Sequence, residues 1–143
     1  MSAQDNARIV MSTYDAYNDR KFDVAVALAS EDSEWLNVPL GLSLRGKEGN
    51  RQFLQGWATA FPDSRVEVAY TVADEEGVVV EFRGRGTHTG PLASPAGDIP
   101  ATGRSVDIPF CQVYRLKGGK IVSSHLYFDV ATMMGQLGLM PAQ

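Results

Sequence analysis

Arg65-Val66-Glu67-Val68-Ala69-Tyr70-Thr71-Val72 is where the hydrophobic period of this chain changes. Val66, Val68, Tyr70 and Val72 recur at every second position, the period of a strand with one buried face. Asp74-Glu75-Glu76-Gly77 then reads as a turn and Val78 to Thr87 as a second strand. The stretch Gly90–Gly103 holds three prolines and three glycines and reads as an ordered loop. Two long strands follow, Arg104–Leu116 and Lys120–Val130, joined by Lys117-Gly118-Gly119, and a short helix with Met133, Met134 and Leu137 closes the chain.

Upstream of Arg65 the period is helical. Ser2-x-x-Asp5 has the form of a capping box, and Ile9, Val10, Thr13, Tyr14 and Tyr17 mark one face of a helix over about residues 3–19. Phe22 to Ala29 reads as a second, shorter helix, and Trp35-Leu36-Asn37-Val38 as a short extended segment closed by Pro39. Phe53, Leu54, Trp57 and Phe61 define a third helix that Pro62 ends. Helices first and an antiparallel meander afterwards indicate an α+β fold rather than a doubly wound one, in a single domain over residues 1–143.

The composition narrows the function. Thirteen basic against 17 acidic residues give a net charge of −4, so there is no excess of Lys and Arg to hold nucleic acid or an anionic membrane. A 44% hydrophobic, 21% charged chain of 143 residues has the make-up of one globular domain. One cysteine cannot form an internal disulfide, and two histidines at no ligand spacing make no zinc set. The segment Met1–Asn6 lacks the basic and apolar regions of a signal peptide, and no apolar run approaches the ~20 residues that span a bilayer. A cytoplasmic protein without cofactor or metal is the expectation.

The glycine-rich turn of the last hairpin bears on which side chains meet. A three-residue loop with Gly119 as a bulge pairs Arg115 with Ile121, Cys111 with His125, Pro109 with Tyr127 and Asp107 with Asp129. This register puts two carboxylates, a histidine and an arginine on one face; a two-residue loop separates Arg115 from Asp129.

Asp129 ends a strand reading Leu126-Tyr127-Phe128. Aromatic neighbours would desolvate its carboxylate and raise its pKa toward a range useful for proton transfer; capping the following helix is the competing role. Asp107 could share a proton with it or lie exposed. Cys111 beside His125 has the make-up of a thiol–imidazole pair, but a lone Cys beside a His is far more often ordinary core. Arg83-Gly84-Arg85-Gly86 is not a dinucleotide fingerprint and reads as a solvated strand face. His88, within Gly86-Thr87-His88-Thr89-Gly90, either lines a cavity mouth or fixes the loop. Trp35-x-Asn37 places an aromatic ring and an amide on one face, a suitable lining for a ring-shaped polar ligand.

Arg45-Gly46, Phe61-Pro62-Asp63, Gly86–Gly90, Ala101-Thr102-Gly103-Arg104, Gly119-Lys120-Ile121 and Gln136-Leu137-Gly138 resemble, in order and spacing, the SnoaL-like polyketide cyclase (ester cyclase) family. The resemblance implies an NTF2-like cone, a curved antiparallel sheet wrapped around helices and enclosing an apolar pocket, and commonly a homodimer. It implies a cofactor-independent cyclase acting on a hydrophobic carbonyl compound. Asp129 would be its acid/base, Arg115 would stand where a histidine often assists, and His125 where a tryptophan is common. Tyr17 and Asp107 match pocket positions, and Tyr127 joins them as a pocket candidate. The expected reaction is an intramolecular aldol-type closure in which His88, His125 or Arg115 stabilises the oxygen charge. Trp35–Leu40 and Tyr127-Phe128-Asp129 are also similar to limonene-type epoxide hydrolases, which implies Asn37 and Asp129 as water-positioning groups, with Asp107 and Arg115 standing in for a missing acid and its arginine. A binding domain without catalysis is the third expectation.

Overall fold

A computed structural model describes residues 2–140. The elements, in chain order, are α1 (Ala3–Asn18), α2 (Phe22–Val26), β1 (Ala29–Asn37), β2 (Leu42–Arg45), α3 (Gly46–Ala60), β3 (Arg65–Ala73), β4 (Gly77–Thr87), β5 (Ser105–Lys117), β6 (Lys120–Phe128) and α4 (Val130–Leu137). They form an α+β fold whose six strands lie in one curved sheet, in the order β2-β1-β6-β5-β4-β3. Neighbouring strands run antiparallel except β1 and β6, which are parallel. Among the described residues no helix is long and apolar enough to cross a membrane, and no cluster of three His, Cys, Asp or Glu side chains could hold a metal ion.

The capping box forms at the start of α1: Ser2 Oγ accepts from the Asp5 amide at 3.0 Å, and Asp5 Oδ2 accepts from the Ser2 amide at 3.3 Å. Val10, Thr13, Tyr14 and Tyr17 are the buried face of this helix, as their spacing predicts. Phe53 of α3 packs its ring 5.7 Å from that of Trp35 on β1, and Trp57 meets Phe110 of β5 edge-on at 5.8 Å. Both helices therefore cover one face of the sheet, and the core lies between.

Three boundaries differ from the sequence reading. The second helix stops at Val26 because the chain turns at Ala25–Leu28 and is captured by the sheet, the Leu28 carbonyl accepting from the Ile121 amide at 2.9 Å. The extended segment around Trp35 is the end of a nine-residue strand, β1, held by β6 on one side and β2 on the other. Its first half, Ser30-Glu31-Asp32, is polar and does not alternate, and it forms an irregularity between the paired positions Ala29–Ile121 and Glu34–Ser123. The strand expected to run to Val130 stops at Phe128 because Asp129 starts a helix.

The last hairpin corrects the expected register. Gly118 and Gly119 both have positive φ, 58° and 79°, so they make a two-residue loop of the I′ kind in place of a three-residue one. Lys117 faces Lys120 and Leu116 faces Ile121; a bulge at Val122 then shifts the pairing to Arg115–Ser123, Val113–His125 and Cys111–Tyr127. Cys111 is not opposite His125, nor Asp107 opposite Asp129. Turn and bulge together slide each pair by two residues, so the expected face parity survives although the partners change. Gln112, Tyr114, Ser124 and Leu126 point into the core, and Cys111, Arg115, His125 and Tyr127 point away from it.

Candidate functional site

Between α1, α3 and the inner face of the sheet lies a cavity enclosing about 820 Å³ of empty space, its open mouth included. Its walls are mainly aromatic. Trp35, Phe53 and Trp57 line one side, and Phe82 and Phe110 the other, their two rings stacked at 5.1 Å and 7°. Gly84 keeps this stack in place, because a Cβ there would come within 2.7 Å of the Phe110 ring.

One wall is polar and internally hydrogen-bonded. The Tyr114 hydroxyl donates to the Tyr14 hydroxyl at 3.0 Å, Tyr14 donates to Gln112 Oε1 at 2.8 Å, and Gln112 Nε2 donates to Ser124 Oγ at 2.8 Å. All four side chains are buried. Burial disfavours the phenolate and pushes both phenols well above their ordinary pKa, so they remain neutral donors at any physiological pH. Tyr17 also lines the cavity, its hydroxyl 2.6 Å from Ser64 Oγ. Asn50 of α3 is 1% exposed and lines the cavity, and its Oδ1 has no hydrogen-bond partner.

Of the residues named from sequence as catalytic or substrate-pocket candidates, the structure brings only Tyr17 and Trp35 to this cavity. Asn37 is buried at the end of β1, where its Oδ1 accepts from the Leu40 amide at 3.2 Å and closes a turn. Asp107 is exposed and sits 2.8 Å from Arg83 Nε and 3.6 Å from Arg85 Nε, which hold its carboxyl below the usual range, the Arg83 hydrogen bond most strongly. Arg115 is exposed, with Glu76 at 4.0 Å. His125 is half-buried on the outer face, with Nε2 3.0 Å from Glu34 Oε1. Tyr127 lies on that face too, 43% exposed.

His88 is fully buried but does not line the cavity. Its Nδ1 accepts from the Thr102 amide at 3.2 Å, and the backbone around it pairs with Gly103 and Arg104, which closes the long loop. Loop fixing, one of its two expected roles, is what these bonds do. Desolvation holds its pKa below the ordinary value.

Asp129 also differs from the expected environment. It is exposed, its Oδ1 accepts from the Thr132 amide at 3.2 Å and its Oδ2 from the Thr132 hydroxyl at 2.9 Å, so it caps α4. These bonds, the amide's first, lower its pKa instead of raising it. Among the described residues no carboxylate or imidazole lines the cavity. The set that epoxide hydrolysis would need is therefore dispersed: Asn37 in a turn, Asp107 and Arg115 on the outer face, Asp129 at a helix start.

Gln112, Tyr114 and Asn50 were missed. The signal for Gln112 was present: it interrupts the stripe Val106, Ile108, Phe110, Tyr114, Leu116 on the buried face of β5. A polar residue on an apolar stripe needs a partner, and here that partner set is the hydroxyl chain.

The sequence model of the SnoaL-like polyketide cyclases matches residues 7–137, and the chain belongs to that family. No curated relative matches it. Among solved structures, a protein of Jannaschia sp. CCS1 assigned as a SnoaL-like polyketide cyclase superposes with a TM-score of 0.85 at 21% identity, covering 97% of this chain and 95% of that one. AclR of Streptomyces galilaeus, assigned as a hydroxylase, gives 0.80 at 20% identity over 98% and 100%. A Catenulispora acidiphila DSM 44928 protein with a ketosteroid isomerase-like fold gives 0.76 at 17% identity over 92% and 93%.

Proposed function

We propose that the chain is a cofactor-independent cyclase that closes a ring within a hydrophobic, polyketide-like carbonyl compound. Its main support, beside the family, is the aromatic cavity with a hydrogen-bonded hydroxyl wall. Aromatic walls fold a flexible apolar substrate so that its reacting carbons meet. The Tyr114 hydroxyl hydrogen can turn from Tyr14 to a substrate oxygen and stabilise charge as it develops there.

The proton is assigned to Asp129, the family's acid/base position in the sequence. Its lowered pKa keeps it ionised at neutral pH but makes it a weak base, which suits a carbon acid lying between two carbonyls. Asp129 takes that α-proton, and the enolate carbon attacks a second carbonyl of the same molecule. The resulting alkoxide then recovers the proton, so atoms balance without water. Asp129 must exchange its bonds to Thr132 for the substrate during this step.

A second reading, binding without catalysis, is favoured by the lack of a carboxylate or imidazole among the described lining residues. The two separate on an aryl-substituted β-keto ester carrying a ketone within ring-closing reach. The cyclase exchanges its α-proton in deuterated water and closes the ring, and Asp129→Asn loses both while still binding. Activity retained in Asp129→Asn removes the base assignment; binding without exchange in the wild type selects the second reading. We also infer that the outer face of the sheet takes a second copy of the chain, on the exposed side chains of Tyr70, Val72, Val79 and Tyr127.

A further inference from the structure

We propose that α4 is a releasable floor of the cavity, with Gln136 as its latch. Latched, α4 holds the Asp129 carboxylate outside; released as a unit while the sheet stays folded, it frees that carboxylate to turn inward. The link from release to turnover rests on the cyclase reading.

The wound helix fixes two side chains at once. Asp129, just before its first turn, is exposed and bound to Thr132. Met133, four residues on, is 0% exposed and lines the cavity. One turn of helix therefore keeps a carboxylate out of the cavity and a thioether in it.

The element is weak. Eight residues are too few to hold a helix without tertiary support. Gly135 lies exposed in its interior, where a Cβ would meet nothing nearer than Met140 Cγ at 3.9 Å. Neither a close approach nor a positive φ requires glycine at this position. An alanine would fit and strengthen the helix, so the effect of the glycine is to make release easier.

One residue supplies the polar fastening. β6 ends at Phe128, opposite Phe110, so residues 105–109 of β5 have no strand beside them on that side. There Gln136 Oε1 accepts from the Asp107 amide at 2.8 Å, and its Nε2 donates to the Asp107 carbonyl at 3.2 Å. These are the two bonds a neighbouring strand would make, supplied by one side chain. Among the described residues no other side chain of α4 hydrogen-bonds beyond the helix and its cap.

Hydrogen exchange of the full chain without ligand, followed by mass spectrometry, tests the release. In the wild type the amides of residues 133–138 should exchange faster than those of residues 110–116 in β5. Low urea should leave the helix rates nearly flat while β5 rates climb, since local opening exposes little surface. Gly135→Ala should slow the helix amides about two- to fivefold. Gln136→Met keeps length and helix propensity but loses both bonds, and should speed them about fivefold. Helix and β5 amides that exchange together with one urea dependence, or helix rates unmoved by either variant, would overturn the release. The wild-type series needs no variant to fold. On the β-keto ester, Gly135→Ala, the more stable protein, should lower kcat for α-proton exchange by the same factor at unchanged KM, and Gln136→Met should raise it. A merely structural helix would not set activity against stability, so kcat unchanged in Gly135→Ala overturns the link to turnover. No α-proton exchange by the wild type removes the cyclase reading, and the hydrogen exchange result then decides the release by itself.

Discussion

Asp129 illustrates how one short side chain can satisfy two incompatible expectations. A carboxylate after Leu126-Tyr127-Phe128 invites a desolvated site, yet the residue three positions on is a threonine that offers both an amide and a hydroxyl. Capping wins because those donors come from the chain's own next turn, with little entropy to lose. At the same scale, the hydroxyl chain yields a stability prediction. Tyr114→Phe removes one terminal donor and is expected to lower unfolding free energy by about 1 kcal/mol. Gln112→Leu strands two buried hydroxyls and should lower it by about 1–3 kcal/mol; urea denaturation separates the two. The buried face of β5 was readable from alternation alone, whereas the meeting of Tyr14 with Gln112, 98 positions apart, was not. Residue spacing reports local periodicity and is silent on which stripe faces which across a core. Trp35 was recognisable as a lining residue from its strand face and Tyr17 from the family resemblance, whereas Asn50, on a helix with no partner signal, was not.

Among the elements, the loop 88–104 and the last hairpin depend on very different anchors. The loop hangs on a buried neutral imidazole. The folded pKa of His88 is lowered, so the unfolded chain binds a proton more readily than the folded one. The stability this provides is complete above the unfolded value of about 6.5 and is lost as pH falls below it toward the folded value. Thermal unfolding from pH 7.5 to 5.5 should therefore show a falling melting temperature, with a shallower slope in His88→Gln. An unchanged slope would count against His88 as the titrating group. The hairpin, by contrast, is set by geometry. Two adjacent glycines at positive φ fit the right-handed twist of the strands better than a bulged loop does. Glycine pairs admit both loops on sequence grounds, and only the bulge at Val122, which no sequence pattern announces, lets Ile121 share the buried face with Ser124 and Leu126.

For the molecule as a whole, the two faces of the sheet have different characters. The inner face is closed over by helices. On the outer face Tyr70 is 66% exposed and Val72 51%, and the register places Val72, Val79, Val113 and His125 in one row across four strands, with Tyr70, Glu81, Cys111 and Tyr127 in the next. A patch of this kind, exposed valines and tyrosines with Glu81 and His125 among them, is the surface we propose a symmetric partner would cover. Light scattering is expected to give twice the chain mass for the wild type and the single mass for Tyr70→Glu combined with Val72→Glu; a monomeric wild type would refute it. Charge, length and period made the α+β class legible, since those quantities sum over many residues. The site was less so, because it is made where α1, α3 and β5 converge.

The parallel pairing of β1 with β6 carries a consequence for how the molecule comes into being. β6 lies between β1 and β5, so until residues 120–128 exist, β1 and β2 have no connection to the β3–β4–β5 meander. A nascent chain emerging from the ribosome would hold two incomplete sheets with open edges, because the strand that joins them follows the other five in the chain. Closure thus depends on contacts of high sequence separation, Trp35 with Ser124 for instance, and such contact order slows folding. The ligand cavity, whose floor includes Leu126, cannot exist before that final strand docks.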